Sequence, residues 1–345
     1  MTPDMVANQA RPIRLGTRRS ALAMTQSGHV ARALEQVSGR PVELVQIVSE
    51  GDTNRGSLSQ LGGTGVFATR LREALLAGEC DLLVHSLKDL PTAQPDELVL
   101  AAHPSRADAR DVILTRDGTP LEQLPAGSIV GTGSPRRIAQ VLRANPGLAL
   151  HDLRGNVDSR MQRVVDGELA AIVLAAAGLD RLGPDTELIF EPRDLDAWPT
   201  AAGQGALAVE TRADADAELL DAIRRLDDAR TRFAVTVERA VLGGIEAGCH
   251  APVGVHARFE GDALHVRAAV YGVGGERAIE IELSEPVSSD TPTGEYIQGQ
   301  GSGNGADAAD GVDQIDHARD IGSGIARRLL ERGAADLVPR ESSSS

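Results

Sequence analysis

Residues 128–137 read SIVGTGSPRR. This is an apolar strand, a glycine turn, and a helix opening with Ser134 as N-cap and Pro135 at the first helical position. Strand, turn and helix in that order form the repeating unit of an α/β fold, and the same unit recurs on both sides. Toward the N-terminus lie a short apolar strand over 81–86 and a helix over 66–77 with Phe67, Leu71 and Leu75 in register. Before these come a strand over 41–48, a helix from about Ser20 with Ala23, Val30, Leu34 and Val37 on one face, and a strand over 13–17. A strand over 111–115 precedes the quoted stretch. A strand over 148–153, a helix over 157–165 and a strand over 170–175 follow it. Such alternation predicts mixed, mostly parallel sheets with helices on their faces. A further strand over 206–211 comes after the second run of units, a position that predicts the chain's return to complete the first.

From about Asp227 the pattern changes. A long helix carries Phe233, Val237 and Val241 on one side and ends at Gly243 and Gly244. Val253, Val255, Ala257 and Phe259 then alternate, Gly261 and Asp262 turn, and Leu264, Val266, Ala268 and Val270 alternate back, which predicts an antiparallel hairpin. With a third strand over 278–283 and a closing helix over 315–332, this is a small α+β domain with a three-stranded antiparallel sheet. The stretch 288–313, rich in Gly, Ser, Asp and Thr, reads as a disordered insertion, and the tail 341–345 as unstructured. The expected division is domain 1 over 12–104 and 200–222, domain 2 over 105–199, and domain 3 over 227–340.

A chain of 345 residues with 41% hydrophobic and 25% charged residues is globular and long enough for two or three domains. Aromatics at 2% leave the core to Leu, Val, Ile and Ala. A net charge of −15 opposes nucleic acid and anionic membranes as partners but permits a local basic pocket. With two cysteines and no Cys/His cluster there is neither a disulfide framework nor a zinc site, and a reducing cytoplasm is the expected compartment. No stretch is long and apolar enough to span a membrane. Arg18-Arg19 is followed by Gln26, His29 and Arg32, which suit a surface helix rather than a signal core.

In open α/β sheets ligands bind beyond the C-terminal ends of the strands. There the sequence sets Arg18, Arg19 and Ser20; Lys88 and Asp89; Ser134, Arg136 and Arg137; and Arg154. Four strand ends thus bring cations to an expected rim in an acidic protein. All basic residues but one are Arg, and the exception is Lys88. Lys suits a site that needs a compact ammonium rather than a planar fork. Arg136 and Arg137 fall in the first turn of a helix, where cations oppose the dipole, so their placement needs a reason. An anion, most simply a polycarboxylate, provides one. Asp89 is the odd charge there, either a group acting on a developing cation or a structural salt bridge. Gly62-Gly63-Thr64-Gly65 is neither a P-loop nor a dinucleotide fingerprint. Cys80 reads as a core residue. Cys249 sits in a loop between helix and strand, either a reactive thiol or an inert one, and its neighbour His250 does not make it a dyad.

Five stretches in order, 84–91 (VHSLKDLP), 133–137 (GSPRR), 153–157 (LRGNV), 203–207 (GQGAL) and Gly248-Cys249, closely resemble the hydroxymethylbilane synthase (porphobilinogen deaminase) family. The resemblance runs from about Arg14 to Ala335, omitting the insertion. It implies two α/β domains like type II periplasmic binding proteins plus the small third domain, and a monomer. It implies a dipyrromethane cofactor on Cys249 through a thioether, no metal, and porphobilinogen as substrate. Four units are added head to tail with loss of ammonia, and hydroxymethylbilane is then hydrolysed off. Asp89 would be catalytic, stabilising cationic azafulvene and pyrrole intermediates. Arg18, Ser20, Lys88, Arg136, Arg137, Arg154 and Arg160 would grip the acetate and propionate groups, with Ser86, Ser134 and Gly155 also in the implied substrate- and cofactor-binding set. Thr64 stands where many relatives carry Lys, and the insertion is atypical. Two other readings are a non-catalytic anion-binding module and a Schiff-base enzyme using Lys88.

Overall fold

The computed structural model describes residues 11–48, 65–245, 251–287 and 306–338. The glycine-rich turn at 62–64, Cys249, His250, the insertion over 288–305 and the tail 341–345 lie outside them. The chain divides into two compact units. One holds the described residues up to His85 with Gln94–Ala102 and Ala208–Asp227. The other holds Ser86–Ala93, His103–Leu207 and the described residues from Asp228 onward.

The first unit is built on a five-stranded sheet. β1 (Ile13–Thr17), α1 (Ala21–Ser38), β2 (Val42–Gln46), α2 (Gly65–Leu76) and β3 (Leu82–Ser86) succeed one another as the hydrophobic periods predict. β4 (Leu98–Ala102), an apolar run not anticipated as a strand, forms one edge. The strand order is β2-β1-β3-β10-β4, so β10 (Leu207–Arg212) does return to complete this sheet, inserted between β3 and β4. β1 runs parallel to both β2 and β3, while β4 and β10 are antiparallel. Leu15, Leu34, Leu75, Leu82 and Leu83 are fully buried, and Cys80 is buried among them. Burial pushes the Cys80 thiol up to about 11, and neighbouring Asp81 adds to the shift, which makes it the inert core cysteine expected. After β10 the unit closes with α6 (Ala217–Arg224).

The second unit carries the other two sheets. β5 (Asp111–Thr115), β6 (Ile129–Gly131), α3 (Pro135–Ala144), β7 (Ala149–His151), α4 (Val157–Val165), β8 (Ala171–Ala175), α5 (Ala176–Leu182) and β9 (Ile189–Pro192) give the order β7-β6-β8-β5-β9. β6 is parallel to β7 and β8, and β5 is antiparallel to β8 and β9, so β5 alone runs against the other four. The mixed, mostly parallel character is as expected; α5, α6 and β9 were not anticipated, being short and weakly periodic.

α7 (Ala229–Gly244), β11 (Val253–Glu260), β12 (Ala263–Tyr271), β13 (Ala278–Pro286) and α8 (Ala306–Glu331) form the remaining layer. β11 and β12 pair from Val253↔Val270 to Glu260↔Ala263 around the two-residue turn at Gly261 and Asp262, the predicted hairpin. Val255, Val266 and Ala268 point from this antiparallel sheet onto Phe233, Val237 and Val241 of α7 and Ile325 and Leu329 of α8. α8 begins at Ala306, so residues 306–313 belong to the closing helix rather than to the stretch read as a disordered insertion. The Gly and Asp content that suggested disorder weakens an isolated helix, but tertiary packing of its later turns overrides propensity.

Candidate active site

The sequence VHSLKDLP places its polar residues where β3 ends. The chain leaves the strand in a short 3-10 turn over Leu87–Asp89, with the Leu90 N–H returning to the Leu87 carbonyl at 3.1 Å. Leu87 is fully buried and pins the turn. Its N–H bonds the Ala206 carbonyl at 3.1 Å, and Arg239 of α7 donates to the carbonyls of Leu90 and Pro91 at 3.2 and 2.6 Å. A Cβ at Gly203 would lie 2.8 Å from Leu87 Cγ, so only glycine lets these two segments approach. The result is a rigid presentation of Lys88 and Asp89.

Around Lys88 stand Asp89, Arg137, Asp111 and Arg136. Burial pushes its ammonium down to about 8. The two Arg residues act in the same direction and the two Asp residues oppose it. The side chain as a whole is only half-buried, yet its charged end is the part enclosed, and desolvation of that end governs the shift. Lys88 Nζ donates to Gln204 Oε1 at 3.4 Å.

Arg136 and Arg137, expected on the rim, are instead 3% and 7% exposed, with their guanidinium groups turned inward. The cause is Asp111, at the head of β5. Its Oδ2 accepts from Arg136 Nη1 at 2.8 Å and Trp198 Nε1 at 3.0 Å. Its Oδ1 accepts from Arg137 Nη2 at 2.6 Å and Gln204 Nε2 at 2.8 Å. Asp111 is held far below the ordinary carboxylate range, burial being outweighed by the two guanidiniums. The helix start carrying these cations therefore has a buried counter-charge. Ser134 caps the helix as predicted, accepting from Arg137 N at 3.5 Å.

Arg160 is held differently. Its Nε donates to the Gly155 carbonyl at 2.8 Å. Burial lowers its pKa, and repulsion from Arg137 and Arg154 adds to the shift. Arg154 leans on Asp152 at 3.1 Å on the surface. Asn156 caps α4, accepting from Ser159 N at 2.9 Å. Gly155, at φ 106°, has a backbone that favours glycine, and a Cβ there would press on Ser159 Oγ at 2.4 Å. Ser86, a further member of the predicted set, ends β3 and is half-buried.

The turn, Asp111, α3 and the 154–160 segment thus bring Ser86, Lys88, Asp89, Ser134, Arg136, Arg137, Arg154, Gly155 and Arg160 into one unit. Arg18 and Ser20 belong to the other, where Ser20 caps α1 by accepting from Ala23 N at 3.3 Å. Sequence reasoning missed two members of the cluster. Asp111 is a lone acid opening the apolar run DVILT, and Gln204 is the polar residue of GQGAL. The signal was an acid or amide where an apolar strand or glycine turn needs none.

Two of the carboxylates among these cations, Asp111 and Asp89, stand in opposite conditions. Asp111 is fully buried and saturated with donors. Asp89 is exposed, and among the described residues none pairs with it. Arg137 and Asp89 both act on the charges of Lys88 and Arg160, and such a cluster of cations has the chemistry to receive a ligand bearing several carboxylates. No cluster of metal-ligating side chains occurs among the described residues, and no helix among them is long and apolar enough to cross a membrane.

Residues 13–220 match the family model described as the porphobilinogen deaminase dipyromethane cofactor binding domain, and residues 232–331 match the porphobilinogen deaminase C-terminal domain. The chain belongs to the porphobilinogen deaminase family. It is 48% identical over 330 residues to the porphobilinogen deaminase of Leifsonia xyli, covering 95% of this chain and 94% of that protein. It is 48% identical over 340 residues to porphobilinogen deaminase 1 of Streptomyces avermitilis, covering 94% and 97%. Among solved structures, an ancestral cationic amino acid solute binding protein overlaps 62% of this chain and 87% of its own at a TM-score of 0.40 and 17% identity. As a member of the porphobilinogen deaminase family the chain is a transferase. It joins four porphobilinogen units head to tail on a dipyrromethane cofactor, releases ammonia at each addition, and yields hydroxymethylbilane. The reading as a non-catalytic anion-binding module finds no support in these relatives.

Proposed function

We propose that Asp89 is the catalytic carboxylate of this porphobilinogen deaminase and that Cys249 carries the dipyrromethane through a thioether. The contrast between the two acids supports the first assignment. A carboxylate already holding two guanidiniums, an indole and an amide cannot act on a ligand, whereas an exposed one with no hydrogen bond or ion pair among the described residues can. Asp89 stabilises positive charge that develops on pyrrole nitrogens and takes or returns the proton there. A turn anchored by Leu87 and Arg239 keeps that carboxylate in one place, which favours charge stabilisation by a preorganised group.

When bound, the dipyrromethane supplies a pyrrole carbon that accepts the first substrate unit. Its acid side chains, and those of the growing chain, would be held by Lys88, Arg154 and Arg160, with Arg136 and Arg137 acting from behind because their guanidiniums are committed to Asp111. Arg18, Ser20, Ser86, Ser134 and Gly155 complete the proposed binding set. The proposed division into domains remains 12–104 with 200–222, 105–199 and 227–340. A cytoplasmic monomer is proposed, and the net charge of −15 supports the absence of a nucleic-acid partner.

The mass of the intact protein tests the attachment. The purified enzyme is expected to exceed its sequence mass by one dipyrromethane, and Cys249→Ala is expected to lack the increment. An active protein at its bare sequence mass would remove the proposal.

A further inference from the structure

The loop over residues 203–205 is clamped more firmly than a connection between elements needs. Glu238 of α7 accepts from Gly203 N at 2.6 Å, Arg106 Nε donates to the Gln204 carbonyl at 2.8 Å, and Arg181 Nη2 donates to the Gly205 carbonyl at 2.8 Å. Glycines allow close approach at both ends: a Cβ on Gly203 would meet Leu87 at 2.8 Å, and one on Gly205 would meet the Ala107 carbonyl at 2.5 Å. The residue so held, Gln204, is 1% exposed.

Its amide has only one sensible orientation. Nε2 donates to the Ala109 carbonyl and to Asp111 Oδ1, both at 2.8 Å, which uses its two hydrogens. Oε1 therefore faces Lys88 Nζ and Arg137 Nη2, each at 3.4 Å. Turning the amide over would set NH2 against two cations and oxygen against two acceptors.

We propose that Gln204 is a positioning residue, whose side-chain oxygen holds the Lys88 ammonium beside the Arg137 guanidinium. The chemistry explains the residue type. A carboxylate here would ion-pair with both cations and compete with any acid group they are to bind. An apolar side chain would leave two desolvated cations with no acceptor between them. A neutral amide oxygen bridges them and leaves their net charge intact for a ligand. The kinetic part of the inference rests on the reading of Lys88 as a ligand for substrate carboxylates; the positional part does not.

The test uses the fact that Lys88 is the sole lysine, so cofactor-loaded protein labelled with ε-15N-lysine gives one side-chain ammonium signal. Its titration is followed in the parent, in Gln204→Glu and in Gln204→Met, alongside porphobilinogen kinetics. The charges that also face Lys88 (Asp89, Asp111, Arg136 and Arg137) are unchanged in both variants. The Lys88 pKa is expected to rise in Gln204→Glu and to fall in Gln204→Met. KM is expected to rise on the order of tenfold in Gln204→Glu, as one charge-assisted contact to substrate is lost. Gln204→Glu sets a carboxylate oxygen against the Ala109 carbonyl and Asp111 Oδ1 where the amide donates. Gln204→Asn draws the amide oxygen away from Lys88 without adding charge and is likewise expected to lower the Lys88 pKa, so it decides the question if Gln204→Met does not fold. An unchanged Lys88 titration in folded variants overturns the proposal. A shifted titration with unchanged KM sustains Gln204 as the positioning residue and removes Lys88 from carboxylate binding.

Discussion

Arg137 meets Asp111 through two N–H groups on a single carboxylate oxygen, Nη2 at 2.6 Å and Nε at 3.1 Å from Oδ1. Arg136 occupies the second oxygen. The start of α3 therefore places two guanidiniums against one fully buried carboxylate, and that carboxylate keeps cations stable at the end of a helix that disfavours them. Removing one partner of such a buried group is far costlier than the net worth of the pair.

Asp111→Asn is accordingly expected to destabilise the protein by about 3–5 kcal/mol, since two buried guanidiniums lose their counter-charge. Denaturant unfolding measures this. A loss within the range of ordinary surface substitutions would show that water or other acceptors take over from Asp111.

Asp89→Asn is expected to behave in the opposite way. Exposed and unpaired among the described residues, Asp89 contributes little to folding, so stability should change by no more than about 0.5 kcal/mol. Turnover should fall close to nothing while the cofactor stays attached. Wild-type turnover would take the catalytic role away from Asp89.

Gly155→Ala should raise the KM for porphobilinogen more than it lowers the folding midpoint. The position combines φ 106° with a Cβ site 2.4 Å from Ser159 Oγ, and such strain costs about 1–3 kcal/mol. The backbone that must shift is the carbonyl holding Arg160 Nε, so Arg160 moves with it. Unaltered KM would place Arg160 outside substrate binding.

Acid is expected to weaken the fold from about pH 6.5 downward. Burial lowers the His103 pKa from 6.5 to about 4, so the unfolded chain takes up its proton first. The contribution is complete above 6.5 and is lost as pH falls to about 4, on the order of 3 kcal/mol in all. Glu210 adds a later loss. Burial raises its pKa, but hydrogen bonds and charge from His85, Arg72 and Gln94 outweigh this and bring it from 4.5 to about 2, so its contribution disappears as pH falls through that interval. Denaturation midpoints across this range check the slope, and His103→Gln should flatten the upper part of it.

Thiol reagents should leave the native protein unlabelled. Cys80 is fully buried with its pKa pushed up to about 11, and Cys249 is proposed to be occupied by the cofactor. Unfolding should release a single reactive thiol, located at Cys80 by peptide mass. A second one would show a free Cys249.

Much of the scaffold could be read from local pattern. Hydrophobic periods located β1, α1, β5, α3 and the β11–β12 hairpin to within about two residues, and the late strand β10 returned to the first sheet as its place in the chain implied. Elements with short or weak patterns escaped notice: β4, α5, β9 and α6. The start of α8 was misread because composition speaks to local propensity alone, and packing against α7 decides a helix of that length.

The sequence by itself determined the alternating α/β architecture, the family, and the motifs holding Lys88, Asp89, Arg136, Arg137 and Arg154. These depend on neighbours along the chain, which periodicity and motif spacing record. Tertiary structure alone decided what each charge does. Asp89 and Asp111 are both acids near the same cations, yet one is exposed and unpaired among the described residues and the other is buried under four donor side chains. Arg136 and Arg137 turned inward, and Gln204 came 116 positions along the chain to reach Lys88. The work available to an ionisable group depends on its desolvation and its partners, and both come from segments remote in sequence.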